Sequence, residues 1–292
     1  MLKIVCIPAY NEEKTIDNIV KRSLNFVDKV IVCDDGSQDF TSKRAEQSGA
    51  VIIKHEKNKG KGAAFKSLFN YAKKINADIM ITIDGDGQFL PEEINKLMNP
   101  IVEKNVDVVL GNRYDSNKEM PTYRQVGNKV LDKITQLASN LPFNDTQSGF
   151  RAYSKKAIES INFFTDGFGV DSEIIVDASN KGLKISEEKI TVLYNTQGKT
   201  STKDPITHSA GVITSLIELI AINHPLKFLG IPGFILLIIG IIFSIIVLSI
   251  FNEDRYFSIP STLVALGSLV IGIMLLLMSV ILYSIARMSK RI

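Results

Sequence analysis

Between residues 2 and 110 the chain alternates short apolar runs with longer amphipathic stretches. The runs Leu2–Ile7, Lys29–Cys33, Val51–Lys54, Ile79–Ile83 and Val106–Leu110 predict strands. The stretches between them, 12–26, 41–48, 61–75 and 91–103, predict helices, the last with Pro91 in its first turn. Short apolar runs flanked by helices predict an α/β fold with a mostly parallel sheet covered on both faces. Ligands bind such sheets beyond the carboxyl ends of the strands.

Beyond residue 225 the pattern changes. Phe228–Phe251 and Phe257–Ala286 contain no charged residue. A hydrocarbon core of about 30 Å is crossed by about 20 helical residues, so helices over 228–251 and 259–286 are each predicted to span a bilayer. The chain thus divides into a soluble α/β domain, 1–204, a juxtamembrane segment, 205–224, and a transmembrane region, 225–292. Ile206, Val212, Ile213, Leu216, Ile217 and Ile220 give the middle segment an apolar face. That face suits a helix on the bilayer surface or one packed back on the soluble domain.

Charge orients the hairpin. Lys227 precedes the first span, Arg287, Lys290 and Arg291 follow the second, and the connection Asn252-Glu-Asp-Arg255 is net acidic. The positive-inside rule then places the soluble domain and both termini in the cytoplasm. The N-terminus lacks the charged-then-apolar layout of a signal peptide. Ser268 and Gly272, four apart, permit close helix approach, and association as a homo-oligomer stays open.

Composition changes the picture little. The 292 residues carry a net charge of +3 and no aromatic-basic interleaving, which argues against nucleic acid as a partner. With Trp absent, an interfacial aromatic belt rests on Tyr256, Phe257 and Tyr283. Cys6 and Cys33 fall in strand runs and read as small buried hydrophobes, with no disulfide in a reducing compartment. The three His, at 55, 208 and 224, are scattered and read as structural.

Four polar loops fall at the carboxyl ends of predicted strands: Pro8-Ala-Tyr-Asn-Glu-Glu13, Asp34-Asp-Gly-Ser37, Asp84-Gly-Asp-Gly-Gln88 and Gly111-Asn-Arg-Tyr114. In an extended backbone residues i and i+2 point the same way, so Asp84 and Asp86 can face one ion, with Gln88 adding an oxygen. Hard oxygen ligands favour Mg²⁺ or Mn²⁺, bridging to diphosphate oxygens. Asp34 and Asp35 can accept hydrogen bonds from a ribose or base, and Asp39 or Ser37 can cap the next helix. Asn58-Lys-Gly-Lys-Gly62 is a glycine-rich helix start and a candidate anion site.

The loops 8–13, 34–37, 58–62 and 84–88, together with Ser148-Gly-Phe-Arg151, occur in the order seen in family 2 glycosyltransferases, and the chain resembles the dolichyl- and polyprenyl-phosphate sugar synthases among them. The resemblance covers residues 1 to about 205. It implies a GT-A fold, a UDP- or GDP-sugar donor and an inverting reaction. Pro8, Ala9, Tyr10, Glu12 and Asp35 inherit the nucleotide pocket, and Asp84, Asp86 and Gln88 the metal.

An acceptor phosphate is already largely ionised near neutral pH. It needs cations rather than a strong base, and the resemblance supports Arg113 and Arg124 in that role. Lys199, in Gln197-Gly-Lys-Thr-Ser201, falls where such enzymes carry a basic segment. Asp145 is a general base in relatives that glycosylate hydroxyls and a positioning residue otherwise; both roles stay open. The expected activity is transfer of a sugar from a nucleotide sugar to a polyprenyl or dolichyl phosphate at the lipid bilayer. The alternative extends a lipid-linked glycan at a sugar hydroxyl. A non-catalytic scaffold is disfavoured by the presence of the metal triplet and both arginines.

Overall fold

The computed structural model describes residues 1–113, 142–165, 169–193 and 225–289, together with Lys129, Asp132, Lys133, Thr135, Gln136 and Ser139. The chain divides into two compact units, Met1–Leu216 and Ile217–Ile292. Arg124, Tyr114, Lys199 and the whole juxtamembrane segment 205–224 lie outside the described residues.

The first unit is built on β1 (Lys3–Ala9), α1 (Ile16–Ser23), β2 (Lys29–Asp34), α2 (Thr41–Gln47), β3 (Val51–Lys54), α3 (Lys61–Lys74) and β4 (Ile79–Thr82). It continues through a short 3-10 turn (Pro91–Glu93), α4 (Ile94–Lys104), β5 (Val108–Asn112), β6 (Arg151–Ser154), α5 (Lys155–Ser160), α6 (Val170–Asn180) and β7 (Ile185–Lys189). The seven strands form one sheet in the order β3-β2-β1-β4-β6-β5-β7. All pairings are parallel except those of β6, which runs antiparallel between β4 and β5.

Strand alternation builds a core on each face. Ile4 and Cys6 of β1, Ile31 and Cys33 of β2, and Met80 of β4 point to one side, against Phe65, Leu68 and Phe69 of α3 and Ile174 and Ile175 of α6. Val5 and Ile7, Val30 and Val32, and Ile79 and Ile81 point to the other, against Ile16, Ile19 and Val20 of α1 and Ile94 and Leu97 of α4. Both faces are dry because these strands carry no polar alternate position. Phe65 is wholly buried, and truncating such a side chain to Ala costs about 3–5 kcal/mol. Asn76 and Asn105, both left-handed, stop α3 and α4.

The structure shifts some expected boundaries. The first helix starts at Ile16 rather than residue 12, because side chains from the next loop capture the backbone N–H groups of residues 11–13. The fifth strand starts at Val108, since the Val106 N–H is taken by Pro100 O.

Among the described residues of the second unit, a π-helical turn (Leu226–Gly230) leads into α7 (Ile231–Asp254), and α8 (Ile259–Ser289) follows. Leu226–Asp254 and Ile259–Ile285 are long and apolar enough to cross a membrane. Side chains such as Ile235, Leu248, Leu263 and Leu277 are exposed along them. Glycines let the two helices touch: a Cβ at Gly240 would lie 2.7 Å from Leu269 Cγ, and one at Gly272 would lie 2.8 Å from Leu237 N. Gly272, expected to allow close helix approach, does so inside this hairpin.

Candidate active site

The carboxyl ends of β1 and β2 are laced together by their loops. Asn11, left-handed at φ 57°, donates its N–H to Ser37 Oγ and accepts from the Gln38 N–H. Glu12 N–H reaches Thr41 Oγ1 at 2.8 Å, and Glu13 N–H reaches Asp39. Ala9 O accepts from the Asp35 N–H at 2.9 Å. Four residues of the first loop are thus fixed by the second, and Tyr10 is carried to the rim of a cleft of about 570 Å³. Gly36, Ser37, Lys54, His55, Lys57 and Asn58 also line it.

Asp34 and Asp35 are both buried. Asp34 accepts from the Ser37 N–H and from Ser42, and Asp39, a capping candidate, accepts from the N–H and Oγ1 of Thr41 at the start of α2. Asp35 accepts from His55 Nδ1 at 2.6 Å and from the N–H groups of Lys59 and Gly60 at 3.0 and 2.8 Å. The glycine-rich start of α3 therefore holds an anion, and that anion is the protein's own Asp35.

Asp84 and Asp86 follow β4. Asp86 Oδ1 accepts from the Gln88 N–H, closing a tight turn through Gly87, at φ 78°. Thr15 Oγ1 donates to Gly85 O at 2.6 Å and anchors the turn to the start of α1. Burial, then the neighbouring Asp84 charge, pushes the Asp86 carboxyl up to about 6. Burial, then Asp86, pushes Glu12 up to about 8. Glu12 thus belongs to the same acidic edge.

Lys61 answers that charge. Its ammonium lies 3.3 Å from Asp84 Oδ1 and 3.0 Å from Asp171 Oδ2. Burial alone would lower its pKa, but Asp171 and Asp84 outweigh it and hold the lysine above its usual range. Gly149, anchored when Thr82 donates to its carbonyl at 2.9 Å, packs directly against the Asp84 carboxylate. Lys61 and Gly149 lie in motifs that the sequence singles out without linking them to the triplet, and Asp171 lies in none, because each comes to the triplet from a distant part of the chain.

Two close carboxylates, one of them pushed up by burial and by its neighbour's charge, are suited to a divalent cation. Among the described residues no three His, Cys, Asp or Glu side chains converge as a cage. The pair suits Mg²⁺ or Mn²⁺, which take few protein ligands and share the rest with diphosphate and water.

The opposite edge holds Arg113, just past β5. Its Nε and Nη2 each lie 2.7 Å from the two oxygens of Asp145, and its backbone N–H reaches Asp145 Oδ2 at 2.8 Å. Asp145 is wholly buried. Glu187 of β7 holds its loop by accepting from the N–H groups of Asn144 and Asp145. Arg151, also wholly buried, donates to the carbonyls of Ser148, Thr146 and Asp171. It ties the Gly149 loop to the start of α6.

Comparison with known proteins matches residues 4–161 to the profile described as Glycosyl transferase family 2. The chain is 36% identical over 211 residues to the UDP-N-acetylglucosamine–dolichyl-phosphate N-acetylglucosaminyltransferase of Methanococcus voltae, covering 64% of this chain and 84% of that one. It is 28% identical over 202 residues to the polyprenol monophosphomannose synthase of Mycolicibacterium smegmatis, covering 64% and 76%. In fold it is similar to the glucosyl-3-phosphoglycerate synthase of Mycobacterium tuberculosis, solved with Mn²⁺ and UDP-glucose. The TM-score there is 0.61 at 24% identity, over 75% of this chain and 78% of that one.

Proposed function

The chain belongs to glycosyl transferase family 2, and we propose that it moves a sugar from a nucleotide-sugar donor to a polyprenyl phosphate at a membrane face. It is a glycosyltransferase with a GT-A core. The relatives named for dolichyl-phosphate and polyprenol-phosphate products support the acceptor class.

On the donor side, the cleft at the ends of β1, β2 and β3 receives the nucleoside. Asp84 and Asp86, with Gln88, hold Mg²⁺ or Mn²⁺, which when bound offsets charge on the departing nucleoside diphosphate. Lys61, kept charged by Asp171, adds a fixed cation beside the same carboxylates. On the acceptor side, Arg113, with Arg124 and Lys199, draws the lipid phosphate towards the sugar. One phosphate oxygen forms the bond to the anomeric carbon while the bond to the diphosphate breaks on the opposite face, inverting the configuration.

The observation that carries the choice of acceptor is the Arg113–Asp145 pair. A general base needs an oxygen able to take the acceptor's proton, but both Asp145 oxygens accept from one guanidinium and the side chain is buried. This supports a nucleophile that arrives ionised, a phosphate, over a sugar hydroxyl. The two apolar helices support membrane attachment, and the basic flanks with the acidic connection support a transferase unit and both termini on the cytoplasmic side.

The test is incubation of the purified full chain in detergent with labelled UDP- and GDP-sugars and dolichyl phosphate. A lipid product from which mild acid releases the sugar is expected. Transfer only to lipid-linked glycans would overturn the acceptor.

A further inference from the structure

We infer that His55 is a positioning residue of the nucleoside cleft, acting through Asp35 on the wall formed by residues 57–60. The inference rests on the donor reading above and adds a residue to it. His55 follows β3, is almost wholly buried and still borders the cleft. Its Nδ1 lies 2.6 Å from Asp35 Oδ1, and its Nε2 lies 2.8 Å from Ser67 Oγ on α3. A carboxylate only accepts, so Nδ1 carries a proton and donates it to Asp35, while Ser67 Oγ and Cys33 Sγ flank Nε2. Ser67 thereby holds the ring in the orientation that aims Nδ1 at Asp35.

The carboxylate so held is what shapes the wall. Asp35 receives the N–H groups of both Lys59 and Gly60, which Gly60 makes possible by adopting φ 100°. Two residues earlier the same wall rests on Gly36, where a Cβ would lie 2.5 Å from the Lys57 carbonyl carbon and 2.6 Å from Asn58 N. The wall is therefore clamped at 57–58 by contact and at 59–60 by hydrogen bonds to a nearly buried charge. Without the imidazole that charge loses the one side-chain donor it has among the described residues, and the second clamp loosens. The acidic triplet and Arg113 keep their own anchors, to Thr15, Lys61 and Asp145. The effect of losing His55 thus falls on donor binding rather than on the transfer step.

The test compares full-length wild type with His55→Leu, His55→Asn and Ser67→Ala. UDP and GDP are titrated calorimetrically, each with Mn²⁺, and turnover is measured against donor and acceptor. Loss of a hydrogen bond to a charged group corresponds to roughly tenfold or more in affinity. His55→Leu should weaken nucleotide binding and raise the donor KM by that factor, while kcat and the acceptor KM stay within about threefold. His55→Asn restores an N–H near the Nδ1 position and should recover most of the affinity. Ser67→Ala, which keeps the imidazole, should show a smaller loss of the same kind. It decides the question if His55→Leu does not fold. Wild-type binding in a folded His55→Leu, equal impairment of His55→Asn and His55→Leu, or an unchanged donor KM in Ser67→Ala would each overturn the inference. Failure of the wild type to bind either nucleotide would instead overturn the donor reading.

Discussion

Gly149 lies against the carboxylate of Asp84, and a Cβ at that glycine would overlap both of its oxygens. The Ser148-Gly-Phe-Arg151 motif therefore acts on the metal triplet from a separate loop, by leaving room. Overpacking a fitted site costs about 1–3 kcal/mol, and here the strain falls on a metal ligand. Gly149→Ala should weaken Mn²⁺–nucleotide binding by at least tenfold, with a melting temperature a few degrees lower. Unchanged Mn²⁺–nucleotide affinity in that variant would show that Asp84 tolerates displacement.

Asp86→Ala should abolish turnover while the fold persists, since its side chain sits in a strand-end turn and contributes nothing to either core. Chelator should silence the wild type, and Mg²⁺ or Mn²⁺ should restore it. Because the Asp86 carboxyl is pushed up to about 6, protons compete with the metal there. The Mg²⁺ concentration for half-maximal rate should rise as pH falls through 6. Full activity in excess chelator would sink the metal assignment.

The raised carboxyls also set a stability trend for the metal-free protein. Glu12 is pushed from 4.5 to about 8 on folding, so the folded state binds its proton more tightly than the unfolded one. That contribution is fully present below about pH 4.5 and is lost as pH rises through about 8. Glu12→Gln, which cannot ionise, should melt above the wild type at pH 8.5 and no higher than it at pH 4.5. Saturating Mg²⁺ should narrow the gap at pH 8.5. A gap that is largest in acid would reverse the sign and refute the cause.

The parallel half of the sheet was legible because β1, β2 and β4 are almost unbroken apolar runs. β6 and β7 were not, for a physical reason in each case. Arg151 begins β6 yet is wholly buried, its charge satisfied by three carbonyls that only the folded loop brings near. β7 reads Ile-Ser-Glu-Glu-Lys, an edge strand with little apolar face. Within the site, the triplet and the Asp34–Asp35 pair were visible because each is local. Lys61 and Asp171 meet across 110 positions of sequence, so no spacing rule announces them. His55 was read as structural, and it is buried and bonded as that reading expects; its place beside the cleft depends on how β3 and α3 are joined.

Membrane topology has a clean probe, because Cys6 and Cys33 are buried. Burial, then the Asp35 and Asp34 charges, pushes the Cys33 thiol up to about 12, and burial holds Cys6 well above the usual range. Neither presents a thiolate to a labelling reagent. Under the proposed orientation, Ser258→Cys, between the spans, should be labelled in intact cells. Ser289→Cys should be labelled only after permeabilisation. The opposite pattern would place the transferase unit outside.

The acceptor chemistry turns on whether Asp145 acts on a substrate or through Arg113. If it only aims the guanidinium, the two residues are one unit, and their losses should not multiply. Arg113→Ala removes a charge-assisted contact worth about 1.5–3 kcal/mol, or roughly tenfold to a hundred-and-fifty-fold in kcat/KM for lipid phosphate. Arg124→Ala, the second proposed clamp, should cost about as much by the same argument. Arg113→Ala also leaves Asp145 buried and unpaired, so its melting temperature should fall. Adding Asp145→Asn should recover part of that stability and lower activity little further. A general base predicts otherwise: Asp145→Asn alone would cost about a hundredfold to ten-thousandfold, and the double variant would be worse than either single one. That result, with transfer restricted to lipid-linked glycans, would move the assignment to hydroxyl glycosylation.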